Sequence, residues 1–291
     1  MKLKRIITAL LGFPFVAGLL IYGNKYMVDI AFSIVSILAI REYFHAFDRK
    51  ANPVRWVGYI AAAFIAFMHI IPMNFVLMTI GISVPLVISV LFIQIIITGM
   101  KTTVNDITIT LFGICYIIGF ILYIPMLHGM ENGKFLIWYI FLAAWGTDVF
   151  AYFVGVKYGK HKFTKVSPKK SIEGSIGGII GATIVSLIYT IIINKYANIN
   201  ISYWYIAIVV PLLSIFSQVG DLAASSIKRY VEIKDYSELL PGHGGMLDTI
   251  DSIIFIAPFA YFLLGDLINR LMWQNITVVL HFFEKVEKKK E

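Results

Sequence analysis

The sequence predicts an all-α polytopic membrane protein, with about nine transmembrane helices and a single integral membrane domain over residues 1–291. Three observations carry that reading. Hydrophobic residues make up 59% of the chain and charged ones only 14%, against about 25% charged in an ordinary soluble domain. Mean hydropathy is +0.81, and apolar stretches long enough to cross a hydrocarbon core of about 30 Å recur along the chain. The net charge of +8 comes mostly from lysines and arginines placed between those stretches. Together these features exclude a disordered chain, a soluble enzyme and a nucleic-acid-binding domain. Cys115, the one cysteine, lies in an apolar run, so neither a disulfide framework nor a thiolate metal cluster is expected, and nothing supports a secreted protein.

The first span, 6–22, follows Met1-Lys-Leu-Lys-Arg5. That start also has the shape of a signal peptide, but no clear small-x-small cleavage pattern follows, so an uncleaved helix is the better reading. Spans follow at 27–40 and 57–72. The stretch 75–99 contains Pro85 and reads as one kinked helix or two short pieces. Further spans fall at 107–127, 135–154, 175–194, 203–222 and 250–266. A tenth stretch, Leu271 to Phe283, is short and holds Gln274, Asn275 and His281, which fits an interfacial or re-entrant helix. With a cytoplasmic amino terminus, 17 lysines and arginines fall in inside segments and 4 outside, namely Lys25, Lys134, Lys195 and Arg270. The positive-inside rule is obeyed at every loop, and it brings the lysine-rich tail back toward the cytoplasmic face.

Polar residues that a membrane chain should not tolerate mark the candidate site. Asp148 lies in the sixth span, and a carboxylate at that depth is expected to face the bundle interior or a wet cavity. A structural hydrogen bond explains it equally well. The loop 155–174 is lysine-rich and ends in Ser167-Pro-Lys-Lys-Ser-Ile-Glu-Gly174, just before a Gly-rich helix start. Lys169 and Lys170 suit a phosphate near the free N–H groups of that helix, while Ser171 reads as its cap. The richest segment is 220–251. If the eighth helix continues beyond the membrane, Asp221, Ser225 and Lys228 share one face. Pro241-Gly-His-Gly-Gly245 is too glycine-rich for regular structure and lets backbone approach a ligand. Asp248 and Asp251 then stand three apart at the start of the ninth helix, and two carboxylates plus phosphate oxygens are how Mg²⁺ is usually held. An N-cap and first-turn acid is the plainer alternative.

These residues resemble the phosphatidate cytidylyltransferases, also called CDP-diacylglycerol synthases. Their signature runs roughly Ser-x-apolar-Lys-Arg, four residues, Lys-Asp, a small residue, then apolar-Pro-x-His-Gly-Gly-apolar-x-Asp-Arg-x-Asp. The chain supplies Ser225, Ile227, Lys228, Arg229, Lys234, Asp235, Ser237, Leu240, Pro241, His243, Gly244, Gly245, Met246, Asp248 and Asp251 in register. The upstream Ser-Pro-Lys-Lys-Ser-x-Glu-Gly block is also similar to that family's, and the resemblance covers at least Trp145 to Asp251. One position departs: Thr249 stands where the family usually has Arg.

An integral protein of a bacterial plasma membrane is expected, and the positive-inside count, independently of the resemblance, puts the amino terminus and both motif loops on the cytoplasmic face. The implied reaction joins CTP and phosphatidate, giving CDP-diacylglycerol and pyrophosphate. A phosphomonoester oxygen is already mostly dianionic at neutral pH, so the work is charge neutralisation and positioning. On this reading Asp221 and Asp248 bind Mg²⁺, with Asp251 a third ligand or supporting partner, and a second, monovalent cation is left open. Lys228, Arg229 and Lys234 contact the triphosphate. Gly244 and Gly245 bring backbone N–H groups to it, and His243 donates to a phosphate oxygen. Ser167, Lys169 and Lys170 approach from the opposite loop, and Ser225 lies beside Lys228. Asp148 completes the pocket, and Asp235 pairs with a nearby lysine. CTP, phosphatidate and the bilayer are the implied partners, nucleic acid is not, and a homodimer is left open. Rival readings are a CTP-dependent enzyme for another lipid phosphate or lipid alcohol, which Thr249 keeps alive, an ion or solute transporter, and an inactive relative.

Overall fold

The computed structural model describes residues 2–164, 166–242 and 244–265. The apolar stretch 271–283, the lysine-rich tail and His243 lie outside them. Among the described residues the chain forms nine helical passages and no strand, which matches the predicted count. They are α1 (Lys2–Tyr22), α2 (Lys25–Ala46), α3 (Arg55–Ile70), α4 (Met73–Ile97), α5 (Val104–His128), α6 (Gly133–Tyr158), α7 (Ile172–Ala197), α8 (Tyr203–Tyr230) and α9 (Met246–Leu264). The last six contain spans long and apolar enough to cross a membrane. In α1 and α3 the apolar part is shorter, and α2 carries Asp29, Arg41 and Glu42 within its 22 residues.

Side-chain caps set several helix starts. Asn24 accepts the Met27 N–H at α2, Ser171 the Gly174 N–H at α7 and Ser202 the Tyr205 N–H at α8. At α5, Thr103 and Asp106 form a reciprocal capping box. Pro85 lies inside an unbroken α4, so the stretch 75–99 is one helix. α3 tightens to a 3₁₀ turn over Ile65–Ile70, and α5 loosens to a π turn over Ile114–Ile118.

Small residues let α6 and α7 approach closely, as expected where lipid offers no hydrophobic drive for helix association. A Cβ at Gly178 would lie 2.8 Å from the Thr147 carbonyl oxygen, and one at Gly146 3.0 Å from Ala182 Cα. Hydroxyls reinforce the same region: Thr147 Oγ1 and Ser214 Oγ bond α6 to α8 at 2.6 Å, buried. The Tyr139 hydroxyl meets Thr190 of α7 at 2.7 Å. α9 is buried on two sides. Ile253 and Ile256 join a core with Phe141 and Leu213, while Ile254 joins a second with Tyr43, Phe44 and Ile117. The helix carrying the final aspartate motif is therefore the centre of the bundle, and its start is held from both sides.

Candidate active site

α2, α6 and α8 end where α7 and α9 begin, so one end of the bundle gathers the polar segments singled out in the sequence. α8 runs on to Tyr230. Asp221, Ser225 and Lys228 are therefore on one continuous helix, spaced for a common face. Two ion pairs then join the motif blocks. Lys170, from the loop before α7, pairs with Asp221 of α8. Lys228 of α8 pairs with Asp248 of α9 at 2.6 Å, with side chains 12% and 5% exposed.

The loop 159–171 is folded rather than splayed. Phe163 N–H donates to the Lys170 carbonyl at 2.9 Å, and Ile172 N–H to that of His161 at 3.0 Å. Glu173 accepts the Lys160 and His161 N–H groups and pairs with the His161 ring. With Ser171 and Glu173 already covering the start of α7, an incoming anion is left to the lysines. Lys169 is exposed, Ser167 half-buried with its carbonyl accepting the Lys170 N–H at 3.1 Å, and Lys170 turns toward Asp221.

Asp248 organises the glycine loop. Its Oδ1 takes the Lys228 ammonium, and its Oδ2 accepts the N–H groups of Tyr236 at 2.7 Å and Gly245 at 2.9 Å. Gly244 N–H donates to the Leu240 carbonyl at 3.1 Å. Both glycine N–H groups are thus engaged inside the loop, and in this arrangement neither is free for a phosphate. What demands glycine here is crowding. Gly244 has φ +97°, and a Cβ on it would meet Asp248 Oδ2 at 2.9 Å; one on Gly245 would meet Glu42 Oε2 at 2.5 Å.

Glu42 is the residue that sequence reasoning missed. The expected span ended at Ile40, whereas α2 continues to Ala46 and carries Glu42 into the interior at 6% exposure. Its carboxylate accepts from Ser237 Oγ at 2.6 Å, Met246 N–H at 2.9 Å and Leu247 N–H at 2.8 Å. It thereby satisfies donors that a helix start otherwise leaves open. The available signal was helical spacing through the buried Ala39, Tyr43 and Phe44, which places Glu42 in a packed helix instead of a loop. Tyr236 was also missed. Its hydroxyl reaches toward the Ala224 carbonyl at 3.4 Å, and burial pushes it far above the usual tyrosine range, so it stays a neutral donor. Gln218 and Ser175 tie α8 to the first turn of α7.

The remaining predicted residues divide by exposure. Arg229 and Lys234 are exposed, Arg229 reaching the Ile233 carbonyl at 3.4 Å; Asp235 is exposed and Ser225 half-buried. Thr249, the departing position, is exposed and its hydroxyl donates to the Gly245 carbonyl at 3.0 Å. Asp148 is exposed at span depth, within electrostatic reach of Lys170 and Asp221. Asp251 is buried, accepts the Ser252 N–H at 2.6 Å, and feels the charges of Asp221, Lys228 and Asp148.

Three carboxylates, Asp148, Asp221 and Asp251, thus share one field with lysines interleaved. Among the described residues no three His, Cys, Asp or Glu side chains form a ready metal-ligand group. The donors are nevertheless all oxygen, which suits a hard divalent cation that keeps several waters and phosphate ligands. Among the described residues Asp251 has no lysine on it, whereas Asp221 would meet a cation only by exchanging Lys170. Asp248 would meet a cation only by exchanging Lys228.

The sequence pattern of the cytidylyltransferase family matches residues 3–266 of the chain. The phosphatidate cytidylyltransferase of Bacillus subtilis (strain 168) is 42% identical over 136 residues, 46% of this chain and 49% of that protein. The protein of the same name from Staphylococcus haemolyticus is 44% identical over 135 residues, 46% and 50% of the two chains. That of Thermotoga maritima is 35% identical over 161 residues, 55% and 58%. The matched segments span about half the length of these relatives.

Proposed function

The chain belongs to the cytidylyltransferase family, and from that premise we propose that it transfers a cytidylyl group from CTP to phosphatidate, giving CDP-diacylglycerol and pyrophosphate. The observation that carries the proposal is the pairing of Lys170 with Asp221 and of Lys228 with Asp248. It joins two basic segments and the aspartate motif, far apart in sequence, and so supports a shared site for them, which we take to lie at a membrane boundary. A nucleotide can reach such a spot from water and a lipid phosphate from the bilayer. The distribution of lysines and arginines supports a cytoplasmic location for it and for the amino terminus.

In the proposed reaction a phosphatidate oxygen attacks the α-phosphorus of CTP. A P–O–P bond forms, the α–β bridge bond breaks, and pyrophosphate leaves with the bond's electrons. The phosphomonoester needs no strong base, so the residues work by neutralising and aligning anions. Lys228, Arg229 and Lys234 would meet the triphosphate, and Lys169 and Lys170 the second phosphate-bearing substrate. Mg²⁺ is proposed on Asp221 and Asp251, once Lys170 has moved from Asp221 to a substrate phosphate, with Asp248 joining if it releases Lys228. Bound there, it would supply positive charge to the triphosphate oxygens. Asp248 otherwise holds Lys228 and the glycine loop in place, and Asp148 sets the field around Lys170.

The test uses purified full-length protein in lipid, labelled CTP, Mg²⁺ and a panel of lipid phosphates and lipid alcohols. The expected result is CDP-diacylglycerol from phosphatidate, abolished in Asp221→Asn and by chelation. No nucleotide-linked lipid from any acceptor would overturn the proposal.

A further inference from the structure

The end of the bundle opposite this site carries a cleft that the proposed reaction does not use. α2 runs from one end to the other: Lys25 and Glu42 stand about 26 Å apart by helical rise. Two adjoining cavities of about 340 Å³ each share Ile21 and Lys134 as walls. The first is polar, formed by Lys25, His128, Asn132 and Lys134 around glycines of the two connecting turns. The second is an apolar slot between Phe135, Trp138, Tyr189 and Ile193.

The charge in the first cavity is one-sided. Four lysines and arginines fall on this side of the predicted topology, and Lys25 and Lys134 are two of them. No acidic side chain lines either cavity among the described residues. Asp29, also at this end, is engaged by the His69 N–H at 3.0 Å and the His69 ring at 2.7 Å. His128 is 9% exposed. A carbonyl only accepts, so His128 Nε2 carries the hydrogen shared with Leu20 O at 3.3 Å, and Nδ1 is left without a partner. That nitrogen is a buried acceptor and offers nothing to an anion, so the polar cavity's attraction for a negative group rests on Lys25 and Lys134.

A soluble anion would use the lysines but gain nothing from the slot, and an uncharged lipid would do the reverse. Aromatic side chains at a membrane boundary favour a ligand with one wet and one apolar end. We propose that this cleft binds an anionic phospholipid of the leaflet opposite the active site. Its phosphate meets Lys25 and Lys134, and one acyl chain lies in the slot against Trp138 and Tyr189. The chain bridges α1, through Ile21, to α6 and α7. This assignment does not depend on the reaction proposed above.

The experiment titrates full-length protein in detergent with dioleoylphosphatidylglycerol, dioleoylphosphatidylcholine and inorganic phosphate, and reads occupancy by native mass spectrometry. Each lysine near a membrane surface gives about a fivefold preference for an anionic headgroup, so about thirtyfold is expected for the pair. Lys25→Ala with Lys134→Ala should lower phosphatidylglycerol retention to the phosphatidylcholine level. Lys195→Ala, which removes a lysine at the same end but outside the cleft, should leave it unchanged. Lys25→Arg with Lys134→Arg should keep the preference and controls for folding. Equal retention of the two lipids, or an unchanged preference in the double alanine variant, would overturn the proposal. So would inorganic phosphate competing at the lipid's own concentration, since the slot would then contribute nothing.

Discussion

Replacing Glu42 by alanine removes one acceptor group from three donors: Ser237 Oγ, Met246 N–H and Leu247 N–H. The serine hydroxyl is half-buried and can turn to water. Leu247 is fully buried, and the two backbone donors have no other acceptor among the contacts of the helix start. A hydrogen bond to a charged acceptor contributes about 1.5–3 kcal/mol, and an orphaned buried N–H costs about 1–3 kcal/mol. The two backbone donors alone then put the loss at about 2–6 kcal/mol, a large share of the 5–15 kcal/mol that keeps a protein folded. Glu42→Gln keeps one acceptor oxygen but turns an amide donor toward the other N–H, so it should lose about half as much. Ser237→Ala, which touches the same carboxylate from the loop, should cost about 1 kcal/mol. Reversible unfolding by SDS in mixed micelles, followed by tryptophan fluorescence, measures all three. A loss below about 1 kcal/mol for Glu42→Ala, or a Gln variant as stable as the parent, would refute the idea that this carboxylate holds the start of α9.

Four further outcomes follow from the same geometry. Gly245→Ala pushes a Cβ into Glu42 Oε2, and should destabilise by at least about 2 kcal/mol; combined with Glu42→Ala its effect should fall well short of additive, since both act on one contact. Asp248→Asn retains an oxygen for the Tyr236 and Gly245 N–H groups but leaves the buried Lys228 without its counter-charge, so about 3 kcal/mol of stability and most CTP-dependent turnover should be lost. Thr249→Arg lies on an exposed position whose hydroxyl only bonds its own helix; the unfolding midpoint should move by no more than about 0.5 kcal/mol equivalent, and turnover should rise if that position serves the nucleotide phosphates. Gly178→Ala forces α6 from α7 at the Thr147 carbonyl, costing about 1–3 kcal/mol by the same unfolding assay.

The helical architecture and the polar segments that the structure gathers at one end of the bundle were legible because both are written locally. Apolar length marks a span, and interrupting polar motifs mark where spans meet water. The α8 extension was visible in the spacing of Asp221, Ser225 and Lys228, and the structure keeps all three on that helix. Pairings across distance were not legible. Nothing in the lysine-rich loop says that Lys170, rather than Lys169, meets Asp221, because that choice depends on how the loop folds back through the Phe163 and Ile172 bonds. Glu42 was hidden for a related reason: its three donors lie in a segment that composition alone reads as a phosphate loop. The glycines of that loop looked like room for a ligand, whereas Glu42 and Asp248 already fill the space beside them. Asp148 was expected in the interior or a wet cavity; its residue is exposed at span depth, within electrostatic reach of Lys170 and Asp221.

The separation between Glu42 and its donors also sets an order of events during synthesis. The carboxylate enters the membrane with the first two helices, while Met246 and Leu247 follow 204 and 205 residues later. At about 5–20 residues per second the interval is on the order of 10–40 seconds. Throughout that time the start of α9 does not exist, and Glu42 must keep its hydration at the membrane boundary. The contacts around the candidate site therefore form only once α9 has been made, and a chain halted before residue 247 would hold most of the described spans and none of the contacts that hold α9 to α2.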